Sequence, residues 1–197
     1  MTLPNYFLET YYPENIEQGK DFSAIIFFFG GGWKGGDRKH FINQAKFFSK
    51  RGLLSILADY RTENLNKTTP FESLKDDKSA IRFIKINPSS FQVNISNLII
   101  ASGGSPCGHL AAETALIKDY NEVSESLSDE YTTDALVLFN PVIDNCPSGF
   151  GYERIGSEYN NFSPLHNINK GAPSTLKLIG TEDALIPVET VKYYKKY

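Results

Sequence analysis

The feature that most narrows the fold is a series of five short apolar runs, each cut off by small or polar residues. Ala24–Phe29 (AIIFFF) stops at Gly30, Leu53–Ala58 (LLSILA) at Asp59, and Leu98–Ala101 (LIIA) at Ser102. Ala135–Phe139 (ALVLF) stops at Asn140-Pro141 and Thr175–Ile179 (TLKLI) at Gly180. Most are near-continuous rather than alternating, as expected of strands covered by helices on both faces. TLKLI alternates instead. Between the runs lie helix-patterned stretches. Phe41, Ala45, Phe47 and Phe48 make an apolar stripe ended by Arg51-Gly52. Phe71–Ile86 follows Pro70, carries Leu74, Ala80, Ile81 and Ile84 on one side, and stops before Pro88. His109–Lys118 and Val188–Tyr197 are the third and fourth. Strand alternating with helix predicts an α/β domain with a mainly parallel sheet. Leu3–Tyr12, closed by Pro13, predicts an added edge strand. Asp144–Ser163, rich in Gly, Ser, Asn and Tyr, predicts a long excursion of the kind that builds a pocket wall.

Composition then removes whole classes of function. At 197 residues the chain is read as a single domain, 1–197. Its 20 basic and 23 acidic residues, a net charge of -3, argue against a nucleic-acid partner, which asks for a basic excess. No apolar run approaches the ~20 residues of a membrane span. The start, MTLPNYFLETYY, has neither a basic nor an apolar region of signal-peptide type. The compartment is therefore left open, with the cytoplasm as default and a processed, secreted form as the alternative. Two cysteines make neither a disulfide framework nor a metal knuckle.

Two glycine clusters follow two of the strands. Gly30-Gly31-Gly32-Trp33-Lys34-Gly35-Gly36 comes directly after AIIFFF, and successive glycines let several N–H groups turn toward one ligand atom. A phosphate and an oxyanion suit such a loop equally well, but no G-K-[ST] closes it, which excludes a P-loop. The second cluster, Ser102-Gly103-Gly104-Ser105-Pro106-Cys107-Gly108-His109, joins LIIA to a helix. Strand, tight turn with a central serine, then helix is the context of a nucleophile elbow. The helix start behind the serine favours developing negative charge. A Rossmann fingerprint is the rival, and its G-x-G-x-x-G spacing is absent.

The set FFFGGGW, LADYR, SGGSPCGHLAAE, LFNPVID, SPLHNINKGAPSTL and GTEDALIP resembles the α/β-hydrolase esterases of the hormone-sensitive-lipase and acetylesterase type, from about residue 22 onward. The resemblance implies an α/β-hydrolase fold, a mostly parallel twisted sheet flanked by helices, with no metal or organic cofactor. It implies hydrolysis of carboxylic esters with short acyl or acetyl groups, among them esters of sugars or aryl alcohols. The implied partner is a small-molecule ester, with neither nucleic acid nor membrane involved and a homo-oligomer left open. Carried over by position, Ser105 is the nucleophile and Asp183 the acid that orients a catalytic histidine. Gly31 and Gly32 supply the oxyanion amides, and Trp33 stands beside bound substrate. Phe29 takes the place where the family has a histidine.

Three departures from the family pattern set the expectation for activity. The family's histidine lies on a loop after the last strand, whereas ALIPVETVKYYKKY follows Asp183 and holds none. The chain is thus expected to lack the last strand and helix. His40, His109 and His166 are read as structural or solvent-exposed, and a serine hydroxyl is a poor nucleophile without a base. Pro106 has no N–H to give the oxyanion hole, although proline suits a helix's first position. Cys107 replaces a glycine and is read as a packing residue, with no partner to activate its thiol. Asp144 is read as a turn cap, and Arg61 as a tether to the neighbouring loop through Asp37. The alternative to an esterase is an inactive hydrolase-fold binding protein or a truncated fragment.

Overall fold

The computed structural model describes residues 6–14, 21–94, 96, 98–123, 125 and 132–194. Its centre is a six-stranded sheet made of β1 (Leu8–Tyr11), β2 (Ala24–Phe28), β3 (Leu54–Ala58), β4 (Ile99–Gly104), β5 (Ala135–Phe139) and β6 (Ser174–Leu178). The spatial order is β1-β3-β2-β4-β5-β6. Every pairing is parallel except β1 with β3, where Leu8 stands opposite Ala58 and Tyr11 opposite Ser55. The main helices are α1 (Ile42–Ser49), α3 (Pro70–Ile86), α5 (Pro106–Leu116) and α9 (Val188–Tyr193). Single-turn helices α2 (Glu63–Asn66), α4 (Pro88–Phe91), α6 (Tyr152–Ile155), α7 (Tyr159–Phe162) and α8 (Pro164–Asn167) fill the connections.

The continuous apolar runs have a direct cause in the layering. In β2, Ala24, Ile26 and Phe28 face the layer holding Leu74, Ile81 and Ile84 of α3 and Leu110 and Ala111 of α5. Ile25 and Phe27 face the opposite layer with Phe41 and Ala45. Both sides of the strand are therefore dry, and each such side chain contributes roughly 1.5–3 kcal/mol of burial. α3 starts at Thr69-Pro70 because Thr69 and Glu72 form a reciprocal capping box and Pro70 presets the first turn.

TLKLI alternates because the two faces of β6 differ in burial. Lys177 faces α9, where its Nζ lies 4.6 Å from the Tyr194 ring centroid. Leu176 and Leu178 point the other way and stay 55% and 44% exposed. The predicted edge strand is present as β1; its Leu3–Asn5 part lies outside the described residues, as does the 195–197 end of the last predicted helix.

The structure corrects one tether. Arg61 does not reach Asp37, which instead caps a short 3₁₀ turn by accepting from Lys39 N–H at 2.8 Å. Arg61 makes a fork with both oxygens of Asp76 on α3, with Nη2 to Oδ1 at 2.7 Å, and a further ion pair with Glu122. The physical reason is a nearer partner: Asp76 also accepts the Arg61 backbone N–H at 2.7 Å, while the contacts to the loop after β2 are made by Glu63 and Asn64, whose N–H groups donate to Trp33 and Lys34 C=O.

Candidate active site

Ser105 sits between the last residue of β4 and the first of α5, at φ 56 and ψ -130. That left-handed φ is unfavourable for a side-chain-bearing residue and persists only where the surroundings fix it. Here the Ser105 N–H donates to Phe139 C=O at 3.0 Å. Its own C=O accepts from Gly108 N–H at 3.0 Å and Val142 N–H at 3.1 Å. Gly103 and Gly108 make the turn possible. A Cβ on Gly103 would meet Cys107 C=O at 2.2 Å, and one on Gly108 would meet Pro141 Cβ at 2.7 Å.

The first glycine cluster comes down beside this elbow. A Cβ on Gly30 would lie 3.2 Å from Gly104 C=O and 3.9 Å from Ser105 Cβ. Gly31 has φ 149, and a Cβ there would sit 1.6 Å from Gly35 C=O, so no other residue fits. The Gly31 C=O accepts from Lys34 and Gly35 N–H. The N–H groups of Gly31 and Gly32 donate to nothing among the described residues, so they remain available to an incoming oxyanion. Two side chains absent from the sequence-based site hold this loop. The Tyr60 hydroxyl donates to Phe29 C=O at 2.6 Å while its ring stacks on Phe29 at 4.1 Å. Arg154 donates to Gly32 C=O and pairs with Glu63 at 3.1 Å, tying the 144–163 excursion to the loop.

Trp33 is only 1% exposed. Its ring packs against His109, Phe150 and the bare face of Gly151, so it shapes the loop from behind. Cys107 is fully buried, 2.8 Å from the Tyr60 oxygen, and burial pushes its thiol well up. That agrees with a packing residue. Asp144 caps its own turn through Cys146 N–H at 3.0 Å.

Asp183 lies after β6, at the same edge of the sheet as Ser105. Its Oδ1 accepts from Leu185 N–H at 2.8 Å and Ile186 N–H at 3.0 Å, and Oδ2 accepts from the Asn140 amide. The Ile186 N–H, then Asn140, then the Leu185 N–H hold its carboxyl below the usual carboxylate range. Asn140 also accepts from Gly180 N–H at 3.1 Å, so one side chain bridges the ends of β5 and β6 and holds the Asp183 carboxylate. Its φ is 43. The sequence signal for it is only the Asn-Pro that ends ALVLF, which an ordinary turn would also leave.

None of the three histidines hydrogen-bonds Ser105 or Asp183. His40 is exposed with its ring edge-on to Phe29, and His166 is exposed against Tyr159. His109 is fully buried in α5, and its Nε2 lies 2.7 Å from Asn145 Oδ1. Asn145 donates its own amide to Phe150 C=O, so Nε2 carries the imidazole proton. Burial pushes His109 down to about 3, which keeps it neutral. Among the described residues no group of three His, Cys, Asp or Glu side chains is assembled to hold a metal ion, and no helix is long and apolar enough to cross a membrane.

Comparison with known proteins agrees with this geometry. The BD-FAE family model matches residues 8–150, from β1 through the elbow to the excursion. The endo-1,4-beta-xylanase B of Butyrivibrio fibrisolvens is 26% identical over 155 residues, covering 72% of this chain and 24% of that protein. The chain therefore spans well under half the length of that curated relative. The apo form of Thermogutta terrifontis esterase 2 is 34% identical with a TM-score of 0.89, covering 96% of this chain and 72% of that one. The same esterase with butyrate bound is 33% identical with a TM-score of 0.87, over 96% and 72%. Phosphoramylated by tabun, it is 35% identical with a TM-score of 0.89, over the same shares. With a mostly parallel sheet, an elbow serine and a glycine loop beside it, the chain has the α/β-hydrolase fold and belongs to the BD-FAE family of α/β-hydrolase esterases.

Proposed function

We propose that this chain carries a carboxylic ester hydrolase site that takes esters of short acyl chains and works by acyl transfer to Ser105. The observation that supports it most is the Ser105 elbow with the unengaged Gly31 and Gly32 amides beside it. A base takes the Ser105 Oγ proton as Oγ adds to the ester carbonyl, and the resulting oxyanion rests on the two glycine N–H groups. Collapse of the tetrahedral species expels the alcohol, and water then releases the acid from the acyl-serine. Asp183 is the acid that fixes the base's orientation. The butyrate- and propionate-bound forms of the Thermogutta esterase support a short acyl chain. Trp33, buried against His109, Phe150 and Gly151, supports the loop that carries these amides.

The base is the part these residues do not bring. His40, His109 and His166 all have other surroundings, so none of them is assigned as the base. Loss of a triad member leaves only ~10³–10⁴-fold catalysis over water. The chain alone is expected to hydrolyse p-nitrophenyl butyrate at least ~10³-fold more slowly than the Thermogutta esterase. Joining a relative's final strand and histidine loop after residue 197 restores turnover that Ser105→Ala removes. Adding Pro106→Ala to the joined chain raises kcat further, toward the ~10²–10³ that one oxyanion donor supplies. A well-folded joined chain with no Ser105-dependent turnover would refute the assignment.

A further inference from the structure

The glycine loop after β2 turns through Trp33, which has φ 58. That left-handed region is unfavourable for any residue with a side chain, and a bulky one sits there only under constraint. Turning over the peptide between Gly32 and Trp33 would relieve the strain, because such a flip changes little more than ψ of Gly32 and φ of Trp33. Packing does not oppose it: Gly32 has φ 68, and a Cβ built on it would meet nothing within 4 Å.

The carbonyls on either side are held by backbone. Gly31 C=O accepts from Lys34 N–H at 3.1 Å, and Trp33 C=O accepts from Glu63 N–H at 3.1 Å. Gly32 C=O accepts no backbone N–H among the described residues; its donor is Arg154 Nη1, brought in by α6 of the 144–163 excursion. Gly151 lets α6 come this close, since a Cβ there would meet the Trp33 ring at 2.4 Å. The Arg154 side chain is 12% exposed, and its Nη2 pairs with Glu63 Oε2 at 3.1 Å. Its guanidinium stands 5.8 Å from the Trp33 ring centroid. In a flipped peptide the Trp33 N–H would replace the Gly32 carbonyl opposite the guanidinium, donor against donor. A hydrogen bond from a charged donor is roughly twice as strong as a neutral one, so Arg154 selects the strained conformer.

We propose that Arg154 is a positioning residue for the oxyanion loop. By fixing the Gly32–Trp33 peptide it keeps the loop in the conformation that leaves the Gly31 and Gly32 N–H groups free beside Ser105. The consequence for catalysis rests on the ester-hydrolase reading, whereas the hold on the peptide does not.

Two measurements on the full chain test these parts separately. A residue with positive φ gives a strong nuclear Overhauser effect between its own amide and α protons, which lie close together. Trp33 should show it in the wild type and in Glu153→Ala, a change at an exposed neighbour on α6, and lose it in Arg154→Ala. The second probe is n-butylboronic acid, titrated by boron-11 NMR. Ser105 Oγ adds to boron and gives its proton to solvent, leaving a tetrahedral boronate with an oxygen at the oxyanion position. Arg154→Ala should bind it at least ~10-fold more weakly than the wild type, and Ser105→Ala should not bind it. Arg154→Lys keeps the charge but cannot span Gly32 and Glu63 together, so it should fall between the two. If Arg154→Ala does not fold, Arg154→Lys must show both losses in lesser degree. An unchanged Trp33 signal, or boronate bound as tightly without the guanidinium as with it, would overturn the proposal. A wild type that takes no boronate would instead refute the ester-hydrolase reading, and the Trp33 signal would then decide on Arg154 alone.

Discussion

At the scale of single residues, the site depends on groups that aim other groups. Asp183 is held by two backbone N–H donors and by Asn140, and these keep its carboxylate ionised below the ordinary range. Removing the amide in Asn140→Ala takes one donor away, so the Asp183 carboxyl should titrate at a higher pH. Carbon-13 NMR of labelled aspartate measures this directly, and an unmoved Asp183 would mean that the two backbone donors suffice. His109 gives a second residue-scale prediction. Its folded pKa, about 3, lies below the ordinary 6.5, so below pH 6.5 the unfolded chain takes up a proton that the native state refuses. The stability tied to neutral His109 is therefore full above pH 6.5 and drains away between there and about pH 3. Urea unfolding of the wild type and His109→Gln at pH 7.5 and pH 5 should find the gap between them narrower at pH 5. A constant gap would mean that His109 titrates normally.

At the scale of elements, the elbow and the α3 tether are the joints that keep the site in place. Gly103→Ala would push a methyl into Cys107 C=O, backbone that is committed to α5. It should destabilise the fold by about 1–3 kcal/mol and displace Ser105. Arg61→Ala leaves the carboxylate of Asp76, itself buried, without its fork, and should cost roughly 2–3 kcal/mol in chemical denaturation. The strands were legible from the sequence because their burial on both faces writes an unbroken apolar run, as in β2. The elbow was legible because its glycines are forced by backbone contacts a few atoms away. The Arg61 tether was not, because Asp76 is distant in sequence and a charged residue on a helix reads as a solvated face. Asn140, Tyr60 and Arg154 were missed for a related reason: each acts on backbone or side chains brought near only by the sheet order. β4 runs three residues past its apolar segment, since Ser102 to Gly104 continue the ladder with β5 and the Ser102 hydroxyl adds a bond to Val137 C=O at 2.7 Å.

At the scale of the whole molecule, the sheet gathers Ser105, Gly31, Gly32 and Asp183, the groups proposed as nucleophile, oxyanion donors and acid, at one edge, and none of the three histidines hydrogen-bonds Ser105 or Asp183. The central claim is that Ser105 is a competent nucleophile waiting for an imidazole. Chemical rescue tests this most directly. The purified chain and Ser105→Ala are assayed against p-nitrophenyl butyrate over a range of free imidazole concentrations, with the buffer rate subtracted. Without imidazole the two proteins should match to within a few-fold, as expected when a triad already lacks its base. With imidazole the wild type alone should gain a saturable increment. No increment over Ser105→Ala, or vigorous Ser105-dependent turnover with no imidazole at all, would contradict the account.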